Sequence, residues 1–159
     1  MIQRIQTVYY LLAVLVMALP LAGLELFSFS NKKVLQSVNL FGSESHLVLS
    51  KGKLFVLPQL PLFWANLVVI LLLLLTILMY KKLRLQARLG RFTLAVYGLT
   101  IIGISVVAYF FTQLLIAFQA TMTFGIGFYF MLSGVLFILM GNRGVRKDRK
   151  LLDSLNRLR

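Results

Sequence analysis

"FTLAVYGLTIIGISVVAYFFTQLLIAFQATMTFGIGFYFMLSGVLFILMGN", residues 92–142, contains no Lys, Arg, Asp, Glu or His. About a quarter of the residues of a soluble domain are charged, so an uncharged, strongly apolar run of this length has no place on a water-facing surface. A helix rises 1.5 Å per residue, and about 20 apolar residues cross a hydrocarbon core roughly 30 Å thick. The run is too long for one crossing and fits two with a turn between them. Gln119, Thr121 and Thr123 interrupt it in "FQATMT", just before "FGIGF", which sets one span at 93–117 and the next at 123–141.

Two further runs lie upstream. Leu62 to Tyr80 holds "NLVVILLLLLTILMY", and Val8 to Phe27 is broken only by Pro20 and Glu25. The expected fold is therefore an all-α integral membrane protein with four transmembrane helices at 8–27, 62–80, 93–117 and 123–141. An extracytoplasmic segment 28–61, a cytoplasmic loop 81–92 and a basic tail 142–159 complete it. The composition agrees, with 60% hydrophobic residues, 13% charged and a mean hydropathy of +0.90. The absence of cysteine excludes disulfides, thiolate metal sites and Cys nucleophiles.

The formal net charge is +13, and its placement orients the chain. Arg4 precedes the first span, Lys81, Lys82, Arg84, Arg88 and Arg91 follow the second, and seven basic residues follow the fourth. Those segments share a side and hold 13 of the 17 Lys and Arg residues, against Lys32, Lys33, Lys51 and Lys53 on the other. Cytoplasmic loops carry the excess of Lys and Arg, so both termini are expected in the cytoplasm of a bacterial inner membrane. The first span is expected to stay in place. Its apolar run is longer than a signal-peptide core, Pro20 and Leu21 spoil the cleavage site in "ALPLAGLE", and Leu24 stands where a lipoprotein needs Cys.

In the opening "MIQRIQTVYY", Ile2, Ile5, Val8, Tyr9 and Leu12 share one helix face, and Gln3, Gln6, Thr7 and Tyr10 form a polar stripe. The stripe reads as an interfacial anchor or, more sharply, as glutamine amides that bond a neighbouring helix or a partner subunit. In the outer segment, "HLVLSKGKLFVLP" suggests a β-hairpin about Lys51–Gly52, and "VLQSVNLFG" a further strand. His46, with only Glu44 near it in sequence, is a poor start for a metal site. The tail "NRGVRKDRKLLDSLNRLR" places Val145, Leu151, Leu152, Leu155 and Leu158 at helical spacing among basic residues, with Asp153 and Arg157 as an i,i+4 pair. A basic amphipathic helix of this kind attracts anionic lipid of the inner leaflet. No aromatic residue follows the fourth span to stack on bases, which disfavours nucleic acid.

Catalytic chemistry is sparse. Glu25, Glu44, His46, Asp148 and Asp153 are scattered, and no ionisable residue falls in the middle of a span. "FGIGF" lacks the context of a phosphate loop, so its glycines, like Gly98, Gly103 and Gly134, read as sites of close helix contact or bending. No pair within the spans forms G-x-x-x-G. The reading assigns no catalytic, cofactor or metal residues and expects no enzyme.

"MIQRIQTVYYLLA", "KLRLQARL" and "RKDRKLLDSLNRLR" together resemble a domain-of-unknown-function family of short four-span inner-membrane proteins of Bacteroidota. The resemblance runs through essentially the whole chain. Its specific parts are the Met1-Ile2-Gln3-Arg4-Ile5-Gln6 start and the Arg157-Leu158-Arg159 end, whereas Arg149 and Asn156 depart from an often more acidic tail. It implies compartment and architecture, carries no activity, and directs attention to the two cytoplasmic ends.

Two functions of different classes follow. The leading expectation is a non-enzymatic accessory or assembly subunit of a larger inner-membrane complex, paired with an integral-membrane partner. Its cytoplasmic ends would dock that partner or anionic lipid through Gln3, Arg4, Gln6, Arg143, Arg146, Lys147, Arg149, Lys150, Arg157 and Arg159. The alternative is a small transporter or channel working as a homo-oligomer, its pore lined by Thr76, Ser105, Thr112 and Gln113.

Overall fold

A computed structural model describes residues 5–30, 34–47, 62–115 and 121–157. Among them, four helices are long and apolar enough to cross a membrane: α1 (Ile5–Ala18), α2 (Leu62–Leu78), α3 (Leu83–Leu115) and α4 (Ile126–Arg157). The helices form a closed ring, with α1 packed on α2 and α4, and α3 packed on α2 and α4. Neighbours run antiparallel: Gly144 faces Gln6, Gly141 faces Tyr10 and Gly134 faces Met17 across the α1–α4 seam. Residues 5–10, 79–90 and 141–157 thus gather at one end of the bundle, here called the terminal end.

Inward positions recur at spacings of three, four or seven residues, as they do when 3-type ridges pack into 4-type grooves. They are Gln6, Tyr10, Ala13 and Met17 on α1, Asn66, Val69, Leu73 and Thr76 on α2, and Thr93, Tyr97, Ile104 and Ala108 on α3. The outward faces are apolar, with Leu15, Leu71, Leu99 and Leu136 all more than half exposed. That inversion suits a hydrocarbon solvent, where packing and hydrogen bonds rather than water exclusion bring helices together. Trp64 and Tyr80, both exposed, stand at the two ends of the α2 span, about 24 Å apart at 1.5 Å per residue, as aromatic residues do at the two interfaces.

Several boundaries differ from those expected. The first span does not reach residue 27: α1 gives way to a 3₁₀ turn at Leu19–Ala22, where Pro20 stands, and stops at Gly23, whose φ of 85° is left-handed. Phe27 already belongs to a strand. The loop expected at 81–92 is mostly helix. Only Lys82 separates a 3₁₀ turn at Met79–Lys81 from α3, since Leu, Arg and Gln favour helix. The basic tail is no separate element but continues α4, and Val145 is buried in the bundle rather than turned to the membrane surface. The Lys51–Gly52 hairpin lies outside the described residues.

The chain is not purely helical. Strands β1 (Phe27–Ser30), β2 (Val34–Val38), β3 (Ser43–Leu47) and β4 (Thr121–Phe124) form an antiparallel sheet in the order β3-β2-β1-β4 at the end opposite the termini. β2 falls in the "VLQSVNLFG" run expected to supply a strand, and β3 pairs His46 with Leu35. Asn39 closes the β2–β3 turn, its Oδ1 accepting from the backbone N–H groups of Phe41 (3.0 Å) and Gly42 (2.9 Å). The turn between the last two spans contributes β4, which pairs with β1 in register from Phe27–Phe124 to Ser30–Thr121. The Ser28 and Thr123 hydroxyls meet at 2.8 Å across that pair. Phe27 and Phe29 turn their buried side chains to one face of β1.

The glycines of "FGIGF" join sheet to bundle. The Gly125 N–H donates to the Leu26 carbonyl (2.9 Å) and the Gly127 N–H to the Glu25 carbonyl (2.9 Å), so the first turn of α4 satisfies its amides on the chain entering β1. A Cβ at Gly125 would overlap the Glu25 carbonyl. These amides are occupied and form no anion cradle.

Candidate functional site

α4 carries glycine at 127, 134 and 141, every seventh residue, and again at 144. At about 3.5 residues per turn a seven-residue period keeps one face of the helix toward a partner, here α1. A Cβ at Gly141 would lie 2.7 Å from the Tyr10 ring, and one at Gly134 would lie 3.0 Å from Met17 and 3.1 Å from the Tyr97 hydroxyl. The missing side chains let α1 approach closely enough for polar groups to meet.

They meet in a layer at the terminal end. The Tyr10 hydroxyl donates to Asn142 Oδ1 at 2.8 Å, and Asn142 Nδ2 donates to the Gly90 carbonyl at 2.9 Å. Three helices are tied by one side-chain amide. Gly90 is required there, since a Cβ would overlap Asn142 Oδ1 and lie 2.7 Å from the Tyr10 hydroxyl. Two other bonds cross between helices deeper in the bundle, Asn66 Nδ2 to the Met17 carbonyl (3.0 Å) and the Tyr97 hydroxyl to the Met131 carbonyl (2.8 Å).

One turn from this layer toward the terminal end sits Gln6, with only 1% of its surface exposed and neither amide atom partnered among the described residues. Gln86, on α3, is equally buried and unpartnered. Burying an unbonded amide costs about 1–3 kcal/mol. Gln6 also lines an open groove of about 710 Å³, together with Ile5, Tyr9, Leu83, Met140, Arg143, Gly144, Lys147, Asp148 and Leu151. The groove has an apolar wall and two cations, Arg143 and Lys147, one helical turn apart on α4.

The structure brings together Gln6, Arg143 and Lys147 of the residues expected at a contact site. It does not bring in Arg146, whose Nε donates to the Asn142 carbonyl at 3.3 Å, nor Arg149 and Lys150, which are exposed away from the groove. Gln3, Arg4 and Arg159 lie outside the described residues, as does the side chain of Arg157 at the end of α4. The polar stripe of the opening decapeptide is not an interfacial anchor along its length. Gln6 and Tyr10 face α4, while Ile5 and Val8 are 66% and 51% exposed. Tyr10 bonds a neighbouring helix as the sharper reading had it, but through a phenol rather than a glutamine amide.

The residues expected to line a pore do not converge. The hydroxyls of Thr76, Ser105 and Thr112 each donate to the carbonyl four residues earlier, Thr76 facing inward while Ser105 and Gln113 face outward. No group of three or more His, Cys, Asp or Glu that could hold a metal occurs among the described residues. Sequence reasoning missed Asn142, Gly90 and Gly144. The seven-residue glycine period, with Asn142 next to its last member, was the available pointer.

Four long apolar helices, locked by a few buried amides and phenols, define a helical protein of the membrane-spanning kind. The chain belongs to the family described as a domain of unknown function, DUF4293, whose model matches residues 2–158. A search of curated proteins returned no match.

Proposed function

We propose that the protein is a non-enzymatic accessory or assembly subunit of a larger complex in a bacterial inner membrane, of the Bacteroidota type the resemblance implies, with both termini in the cytoplasm. The orientation rests on the placement of Lys and Arg, and it is supported by the antiparallel packing of α1 on α4, in which Gln6 faces Gly144.

The observation that carries the subunit reading is the outward face of α3. Gly103 sits there with no atom of the described residues within 4 Å of the place of a Cβ, between Leu99 (69% exposed), Ile102 (61%) and Val106 (46%). Within the molecule, the corresponding notches at Gly134 and Gly141 each receive a side chain of a neighbouring helix. A glycine notch flanked by large apolar ridges is the relief that lets a second helix approach, and association of helices in lipid is driven by such packing. An integral-membrane partner presenting one apolar side chain to Gly103 fits this face.

The test is extraction of the C-terminally tagged chain from native membranes in mild detergent, with identification of co-purifying proteins by mass spectrometry. A stoichiometric membrane-protein partner is expected. Recovery of the chain alone, or only as multiples of itself, would overturn the subunit reading and direct attention to flux assays in liposomes.

A further inference from the structure

The groove at the terminal end has a lining of definite chemistry. Arg143 and Lys147 lie four residues apart on α4 and so present two cations along one side of it. Asp148 is the single carboxylate in the lining, which leaves a net positive charge. Gln6 supplies an amide that is buried and unpartnered among the described residues. Two cations and an amide donor recognise a phosphate.

The rest of the lining decides which phosphate. Ile5, Met140 and Leu151 are apolar and largely exposed, and they form a wall that a free hydrated anion has no use for. Depth agrees. At 1.5 Å per residue, about 20 residues of α4 counted from Ile126 cross the hydrocarbon core, which brings the helix to the interface at about Val145, between Arg143 and Lys147. The volume of about 710 Å³ falls within the roughly 300–1,000 Å³ typical of ligand sites. We infer that this groove binds the headgroup phosphate of one anionic phospholipid on Arg143, Lys147 and Gln6, with an acyl chain running from Ile5 along Met140 toward the hydrocarbon core. Gly144 is part of the device, since a Cβ there would lie 3.0 Å from the Gln6 Cβ and push the amide from its place. The inference rests on the membrane placement proposed above but needs no protein partner.

The test uses the purified full chain in non-ionic detergent, titrated with phosphatidylglycerol, phosphatidylcholine or inorganic phosphate and read by native mass spectrometry and thermal denaturation. One phosphatidylglycerol is expected to bind at least tenfold more tightly than phosphatidylcholine, and inorganic phosphate at the same concentration is expected not to displace it. The double variant Arg143→Gln/Lys147→Gln should lose at least tenfold in affinity, whereas Arg84→Gln/Arg88→Gln, which removes two exposed cations outside the groove, should not. Gln6→Leu separates a ligand role from a structural one. It should leave the protein equally or more heat-stable, because an unbonded buried amide is gone, while weakening phosphatidylglycerol several-fold. Equal binding of the two lipids, displacement by inorganic phosphate, equal loss in both double variants, or a Gln6→Leu protein less stable but unchanged in affinity would overturn the inference. Co-purification of a protein partner bears on none of these outcomes, so the two proposals fail separately.

Discussion

Gly141 and Gly103 are both glycines in the middle of long apolar helices, and the molecule treats them oppositely. At Gly141 the Tyr10 ring fills the space a side chain would take; at Gly103 nothing among the described residues comes near. The α1–α4 seam is a finished contact, with glycines at 134, 141 and 144 each covered and a Tyr10–Asn142–Gly90 bridge sealing its end. The outward face of α3 has the same relief without the cover. A glycine in a spanning helix therefore marks where a helix can be approached. Whether the approach happens inside the chain depends on what stands opposite.

Replacing each notch in turn should break this contrast most sharply. Gly141→Leu would drive a branched side chain into the Tyr10 ring, and overpacking of this kind costs about 1–3 kcal/mol or more. We expect the largest loss of stability of any single substitution named here, read as a shift of the unfolding midpoint in SDS-titrated mixed micelles. Asn142→Leu comes next. It strands the buried Tyr10 hydroxyl, at about 1–3 kcal/mol, in the same assay.

Tyr10→Phe keeps the ring that fills Gly141 and leaves Asn142 Oδ1 without its donor, but Asn142 Nδ2 keeps its bond to the Gly90 carbonyl. Interhelical bonds in membrane proteins average about 0.6 kcal/mol and reach about 1.7, so this variant should fall clearly below Asn142→Leu. A double-mutant cycle between the two should show coupling; additive losses would mean that the bridge is not a unit. The smallest effect on folding belongs to Gly103→Leu. A Cβ there meets nothing among the described residues, so the unfolding midpoint should stay within error of the parent, while recovery of a co-purifying partner should drop.

The same contrast shows what the sequence could and could not convey. Four apolar runs, the uncharged 92–142 stretch above all, announce four long helices, because lipid admits only helices and closed barrels, and continuous runs of about 20 apolar residues lack the in–out alternation of barrel strands. Which face of each helix turns inward is far less legible. Ile5 and Val8 look like packing residues by the rules of water, yet they point outward, and Gln6 and Tyr10 point in. Lipid is as apolar as isoleucine, so hydrophobicity no longer tells inside from outside, and small or polar residues carry that information instead.

Hydroxyls and amides also divide in a way composition does not reveal. Thr76, Thr100 and Ser105 are bonded to the carbonyl four residues back, and Thr112 adds to that bond only the Met122 thioether at 3.2 Å, whereas the longer Asn66, Tyr10, Tyr97 and Asn142 side chains cross to other helices. The sheet was legible in part. "VLQSVNLFG" announced β2, but β4 is four residues long and pairs with β1 across more than ninety residues of sequence, a contact that no local pattern encodes. Of the candidate site, the sequence supplied Gln6, Arg143 and Lys147; the groove that joins them needs the close approach of α1 and α4.

The most direct test of the central claim, that the open notch on α3 receives a helix of another protein, is photo-crosslinking in native membranes. A photoreactive amino acid would replace Leu99, beside Gly103, and separately Met17, inside the finished seam. The account predicts an adduct with one different membrane protein from position 99 and only intrachain products from position 17. Lipid adducts alone at position 99, or multiples of the chain itself, would contradict it.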